Sequence, residues 1–223
     1  MRIVFAVPFL GLLLLTVGCG GGSGVSEEDA VANLKKLGAK VTLSPDKRAL
    51  KVNLNGKDAG DAGLANLKGL TGLQALDLQN AGVTDAGLAN IAGLTNLVNL
   101  SLYDNNITDA GLVHLKGLKK LQTLDLGKTH VGDAGLENLA GLTGLTSLNL
   151  NNTKVANPGM AHLKGLANLA QLRMNDTEVG DAGLEELKGA KKLRELFVQD
   201  AKVTEEGADA FKKAVPSVQQ INR

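Results

Sequence analysis

The sequence predicts an α/β solenoid, a stack of short parallel strands and helices built from one repeating unit. Three observations carry that prediction. Leucines recur with a period of 24 residues: Leu73, Leu76 and Leu78 return as Leu97, Leu100 and Leu102, then as Leu121, Leu124 and Leu126, then as Leu145, Leu148 and Leu150. The last two copies read Leu169, Leu172, Met174 and Leu193, Leu196, Val198, and a degenerate first copy reads Ala49, Val52, Leu54. Within each copy the apolar period changes from two, as in Leu76-Asp77-Leu78, to the helical spacing of Leu88, Ile91 and Leu94. Aromatic residues make up only 2% of the chain and Trp is absent, so the core is built from Leu, Val and Ala, which can fill the same slot in every copy. A fixed period in this range denotes units that bury their apolar faces on one another, not a compact enzyme core.

Residues 1–24 stand apart from the repeats. Arg2 precedes an almost unbroken apolar run from Ile3 to Val17, which is short for a membrane-crossing helix and has the layout of a secretory signal peptide. The stretch Leu15-Thr16-Val17-Gly18-Cys19 resembles the bacterial lipoprotein lipobox. That resemblance implies cleavage after residue 18, lipid attachment at Cys19 and export to the cell envelope, with Thr16 standing where the family usually has Leu. Cys19 is the sole cysteine, so an internal disulfide is excluded. Residues 19–24, rich in Gly and Ser, read as a tether.

Residues 25–48 read as an N-terminal cap. Ser26 followed by Glu27, Glu28 and Asp29 is a helix start, and Ala30, Val31, Leu34 and Leu37 form its apolar face. Ser44-Pro45-Asp46-Lys47 is a turn between two weakly alternating segments. Such a lid covers the apolar face that an end repeat otherwise exposes.

Seven repeats follow over residues 49–216, with a partial closing unit at 217–223 containing Val218 and Ile221. In each, a short strand is followed by a turn, a returning aliphatic such as Val83, and a helix. The helix start is marked by a ladder of Asp61, Asp85, Asp109, Asp133, Asn157, Asp181 and Glu205. Asp and Asn are favoured helix N-caps, so each is expected to cap its own helix; Pro158 beside Asn157 suits a first helical position. A second ladder, Asn105, Thr129, Thr153 and Thr177, is expected to bond the turn backbone inside the solenoid.

These residues resemble the leucine-rich-repeat pattern L-x-x-L-x-L-x-x-[N/C/T]-x-[V/I]. The second half of each copy is similar to the ribonuclease-inhibitor-like subclass. Val83-Thr84-Asp85-Ala86-Gly87-Leu88 and Ile107-Thr108-Asp109-Ala110-Gly111-Leu112 resemble phrases of secreted bacterial leucine-rich-repeat proteins. The resemblance implies a horseshoe arc with parallel strands on the concave face and helices on the convex face, acting as a binding module. No reaction follows from it.

Residues between the strand leucines point away from the core and vary among copies while the core does not. On this face the expected contact residues are Asp77, Tyr103, Asp125, Asn149, Asn151, Arg173, Asn175 and Phe197, with a protein or glycan as partner. Tyr and Arg are the side-chain types that dominate interface energies, and Arg173 and Phe197 fall in one row on adjacent strands. A passive scaffold of the envelope is the alternative.

Histidines 114, 130 and 162 are scattered, no His–Cys–carboxylate spacing fits a metal, and no nucleophile motif is present, so neither cofactor, metal nor catalytic residues are expected. Lys and Arg number 24 against 23 Asp and Glu. From that balance no basic stripe is expected, which argues against nucleic acid as a partner.

Overall fold

The computed structural model describes residues 25–223. The expectations for the apolar run, Cys19 and the Gly/Ser tether lie outside the described residues.

Nine strands form one sheet in chain order. β1 (Lys40–Leu43) pairs antiparallel with β2 (Ala49–Asn53). From β2 onward all pairing is parallel, through β3 (Ala75–Asp77), β4 (Asn99–Ser101), β5 (Thr123–Asp125), β6 (Ser147–Asn149), β7 (Gln171–Arg173), β8 (Glu195–Phe197) and β9 (Gln220–Asn222). The register is that of the sequence period. Leu76 sits beside Leu100, Leu100 beside Leu124, and the row ends in Leu196 and Ile221. A slip of one residue would turn every leucine to solvent, so the apolar pattern fixes this register strongly.

The returning half of each repeat is less helical than its leucine spacing suggests. α2 (Gly60–Leu64), α3 (Asp85–Leu88), α4 (Asp133–Leu136), α5 (Asn157–Met160) and α6 (Asp181–Glu186) are one to two turns long. Several continue as 3₁₀ turns, at Ala65–Leu67, Glu137–Leu139 and Ala161–Leu163, and the repeat of Asp109 has only the 3₁₀ segment Gly111–Leu115. Glycine lies inside each of these turns and again near each end, for example Gly87 and Gly93, and glycine disfavours sustained helix by about 1 kcal/mol. Burial of Leu88, Ile91 and Leu94 holds the segment in place despite poor propensity.

The terminal helices are the long ones. α1 (Glu27–Lys36) is capped by Ser26, whose hydroxyl oxygen accepts the Asp29 N–H, and it buries Ala30, Val31 and Leu34. At the other end α7 (Glu205–Ala214), capped by Thr204, buries Ala208 and Phe211. These helices cover the apolar faces that the first and last repeats cannot bury on a neighbour. One contiguous core runs between them.

The Asp ladder corrects the capping expectation. No residue of the ladder from Asp61 to Asp181 is the N-cap of its own helix, a place taken by residues such as Thr84, Gly132 or Gly180, and none bonds an N–H of that helix. Each side chain crosses to the next repeat. Asp61 Oδ1 accepts the Thr84 N–H (2.8 Å) and Oδ2 accepts the Thr84 hydroxyl (2.6 Å). Asp85 binds Thr108 in the same way, and Asp181 binds Thr204. Asp109, Asp133 and Asn157 accept the backbone N–H of Gly132, Ala156 and Gly180, each at 2.7 Å. The oxygen thus satisfies the start of the neighbouring helix, so each of the six junctions carries a polar clasp.

This clasp explains the glycine of the Asp-Ala-Gly phrase. A Cβ on Gly87, Gly111, Gly135 or Gly159 would overlap Oδ1 of the preceding repeat's aspartate. Only glycine leaves room for the carboxylate to lie over the neighbouring backbone.

The second polar ladder sits as the sequence suggested. The buried hydroxyls of Thr129, Thr153 and Thr177 donate to the carbonyls of Leu126, Leu150 and Met174, each at 2.6 Å. Buried Asn105 does more: Nδ2 donates to the carbonyls of Leu78, Leu102 and Tyr103, while Oδ1 accepts the N–H of Ala81 and Val83.

Candidate functional site

The strand face is built by the three-residue strands, whose central leucines point into the core and whose flanking residues point out. All eight expected contact residues lie on this face or at the strand ends bordering it, and all are half-buried. Four of them form one register row, since Asp125 pairs with Asn149, Asn149 with Arg173, and Arg173 with Phe197. Asp77 belongs to the same row, separated from Asp125 by Ser101.

Hydrogen bonding divides this row into committed and open groups. Asp77 accepts from Asn53 Nδ2 (2.8 Å) and from the Gln79 N–H (3.1 Å). Asp125 Oδ1 accepts from the Gly127 N–H and Asn149 Nδ2, both at 2.9 Å. Its Oδ2 bonds no donor among the described residues. Asn149 Oδ1 is taken by the Asn151 N–H. Asn151 and Asn175 are spent on the frame, each accepting an N–H of the following repeat, from Asn175 and Gln199 (2.8 Å each). Arg173 lies over the ring of Phe197, 4.8 Å from its centroid. Among the described residues its guanidinium has no carboxylate within salt-bridge distance.

The row therefore presents an open acceptor and an open cation two strands apart, roughly 10 Å by the usual strand spacing. The cation is steadied on an aromatic face, an arrangement worth about 0.5–1 kcal/mol where exposed. Two shallow grooves run along the rows. One, of about 420 Å³, is lined by Lys51, Asp77, Asn99, Ser101, Thr123 and Asp125 among others; a smaller one, of about 170 Å³, lies between Asp125, Asn149, Gln171 and Arg173.

Tyr103 is positioned by a residue the sequence reading left out. A Cβ on Gly127 would come within 2.9 Å of Tyr103 Cδ2 and 3.0 Å of Asn149 Nδ2. Gly127 is the one glycine in its row, directly after the one tyrosine, and that coincidence was the available signal. Asp77 and Asp125 lie two strands apart in the row they share, and no group of three or more His, Cys, Asp or Glu among the described residues could hold a metal ion.

The expectation of no basic stripe is corrected. The segments leading from helix to strand (68–74, 92–98, 116–122, 140–146, 164–170, 188–194 and 212–219) carry eleven Lys and Arg and no Asp or Glu. The opposite segments, from strand to helix (55–62, 79–86, 103–110, 127–134, 151–158, 175–182 and 199–206), carry twelve Asp and Glu against four Lys. Parallel stacking brings each set to its own edge of the sheet. A balanced total thus conceals two oppositely charged edges, because composition sums charge without regard to position.

Residues 95–141 match the family model described as "Leucine Rich repeats (2 copies)", and residues 70–92 match that of "Leucine Rich repeat". The chain is a leucine-rich-repeat solenoid. Solved structures of the same fold include an internalin C2 from Listeria monocytogenes, 22% identical over 86% of this chain and 91% of its own, with a TM-score of 0.62. A plant peptide hormone receptor, solved in complex with RGF2, is 22% identical over 82% of this solenoid and 28% of the receptor chain, with a TM-score of 0.60. A leucine-rich-repeat protein of Leptospira interrogans is 19% identical over 71% of this solenoid and 45% of its own chain, with a TM-score of 0.54. A search of curated protein sequences gives no match. At these identities the likeness is one of fold.

Proposed function

We propose that this solenoid is a binding module of the bacterial cell envelope, held by a lipid on Cys19, and that its strand face recognises a protein partner. The observation that carries the reading is the middle row, where Asp125 Oδ2 and the Arg173 guanidinium stand open, half-buried and fixed in position. A partner that offers a hydrogen-bond donor to one and a carboxylate to the other meets both. A polypeptide carries both groups, whereas a neutral glycan supplies no anion for Arg173. The fold supports the same reading, since the plant receptor of this architecture was solved in complex with RGF2. Asn151 and Asn175 act in this account as framing residues, and Tyr103 as an amphipathic contact supported by Gly127.

The test is co-purification of the full chain from its native envelope, followed by titration of the captured partner against variants. Tyr103→Ala, Arg173→Ala and Phe197→Ala should each weaken binding, with Arg173→Ala costing about 1–2 kcal/mol. Gly127→Ala should act on Tyr103 at a distance and weaken it too. Binding unchanged by all four, and lost instead on altering Glu137 or Glu185, would move the contact to the helix face. For the anchor, Cys19→Ser should release the chain from membranes washed at high salt; unaltered fractionation under that wash would remove lipidation from the account.

A further inference from the structure

The strand-face reading leaves the basic edge unused. All eleven of its Lys and Arg side chains are exposed. Two are neutralised by helix-side carboxylates, Lys164 by Glu186 and Lys188 by Glu185; the others make no ion pair with described residues. Charge is densest near β8, where Lys191, Lys192 and Arg194 line a cleft of about 420 Å³ together with Thr146, Asn168 and Ser217. Lys192 Nζ is held by Asn168 Oδ1 (2.7 Å). The Ser217 hydroxyl has no hydrogen-bond partner among the described residues. Three cations and an unspent hydroxyl around one cleft fit a phosphate ester.

The chain's N-terminal end emerges at this same edge. Glu27 Oε1 accepts the N–H of Ala49, the first residue of β2, which places the start of α1 at the entry side of the strands. Acids do sit there, Glu27, Glu28, Asp29 and Asp46, alongside Lys47 and Arg48. The cationic surplus therefore lies further along, six strand steps or roughly 29 Å away at β8.

We propose that the helix-to-strand edge docks on the anionic phospholipid surface of the membrane that carries the anchor. This rests on the lipid-anchor reading. Five residues lie between Cys19 and Val25, and a Gly/Ser chain of that length has a root-mean-square span of roughly 12 Å. A lipid on Cys19 then keeps the edge that bears the N-terminus near the bilayer, and that edge is the basic one. A lipid at one end and a cation cluster at the other hold the edge against the headgroups at two points. One acyl signal combined with a basic patch anchors far better than either alone. The acidic edge is turned outward, and the strand face stands upright and open to its partner.

The test separates docking from anchoring by using the full chain carrying Cys19→Ser. Its partition is measured by sedimentation onto phosphatidylcholine vesicles with and without phosphatidylglycerol, so that any contribution of the apolar leader appears equally in both. Preferential binding to the phosphatidylglycerol vesicles, lost as salt is raised, is expected. The triple variant Lys191→Gln, Lys192→Gln, Arg194→Gln should weaken that preference on the order of 100-fold at low salt, given about fivefold for each cation near an anionic surface. Lys119→Gln with Lys120→Gln should weaken it less. These side chains are exposed, and an unchanged thermal midpoint checks that the fold is intact. Equal binding to both vesicle types, or full binding by the triple variant, overturns the proposal, as does binding of duplex DNA or polyphosphate with vesicles ignored. Membrane release by Cys19→Ser under a high-salt wash, which removes the electrostatic contact of the edge, reports on the anchor alone, so either idea can fail without the other.

Discussion

Asp85 of one repeat is bound twice by Thr108 of the next, through the backbone N–H at 2.8 Å and the hydroxyl at 2.6 Å. The same carboxylate occupies the space above Gly111 that a methyl group would need. Aspartate, threonine and glycine from two repeats thus form one unit.

The unit predicts non-additive mutations. Asp85→Ala should cost about 1–2 kcal/mol, toward the lower end of the range for unpaired buried donors, because the Thr108 N–H and hydroxyl are partly buried. Gly111→Ala should cost a similar amount by displacing the carboxylate. The double variant should be less destabilised than the sum, because the added methyl group meets no oxygen once Asp85 is gone. Denaturant unfolding of the four proteins measures the coupling, and simple additivity would show that the two positions do not meet.

The turn after each strand predicts a stabilising substitution. Asn80, Asp104, Lys128, Asn152, Asp176 and Asp200 all have positive φ, between 48° and 56°, as has Gly56 in the first repeat. Asn, Asp and Gly tolerate this left-handed conformation, whereas a long side chain is disfavoured. Lys128 is the exception in the row. Lys128→Asn should therefore raise stability by about 0.5–1 kcal/mol. The exposed pair it gives up with Asp104, at 3.0 Å, contributes little. A lowered unfolding midpoint would contradict this.

Asn105 should be the most sensitive polar residue of the core. It makes five hydrogen bonds to the backbone of two repeats. Asn105→Leu strands those groups and should cost about 3–5 kcal/mol, while Thr153→Val removes a single bond and should cost about 1 kcal/mol. Comparable losses at the two sites would indicate that water replaces the amide.

The turn between β1 and β2 predicts a local response to acid. The hydroxyl of Ser44 donates to Asp46 Oδ1, and this bond, with Arg48 adding attraction, holds the Asp46 carboxyl below its ordinary value. A depressed folded value means that the group favours the folded turn above the ordinary carboxylate range and loses that effect as pH falls through the folded value. Titration of Asp46 by NMR should show the lowered midpoint, and Ser44→Ala should move it upward. An unmoved midpoint would assign the shift to the Asp46 backbone N–H and Arg48 instead.

The sequence by itself determined the repeat, its register and which residues leave the core. Those are properties of each copy: Leu76-Asp77-Leu78 alternates whether or not a neighbour is present, and it foretold the row in which Arg173 meets Phe197. Only the tertiary structure decided what the polar residues do. Asp85 reads locally as a cap for its own helix, but in the stack its oxygens bond Thr108 of the next repeat. Likewise Asp125 and Asn175 look equivalent on the strand face, yet one keeps an oxygen open while the other is consumed by Gln199. Charge followed the same division, since a sum over the chain is blind to the stacking that sends lysines to one edge and aspartates to the other. Hydrogen bonds and fields depend on distances between copies, and those distances come into being only when the copies pack.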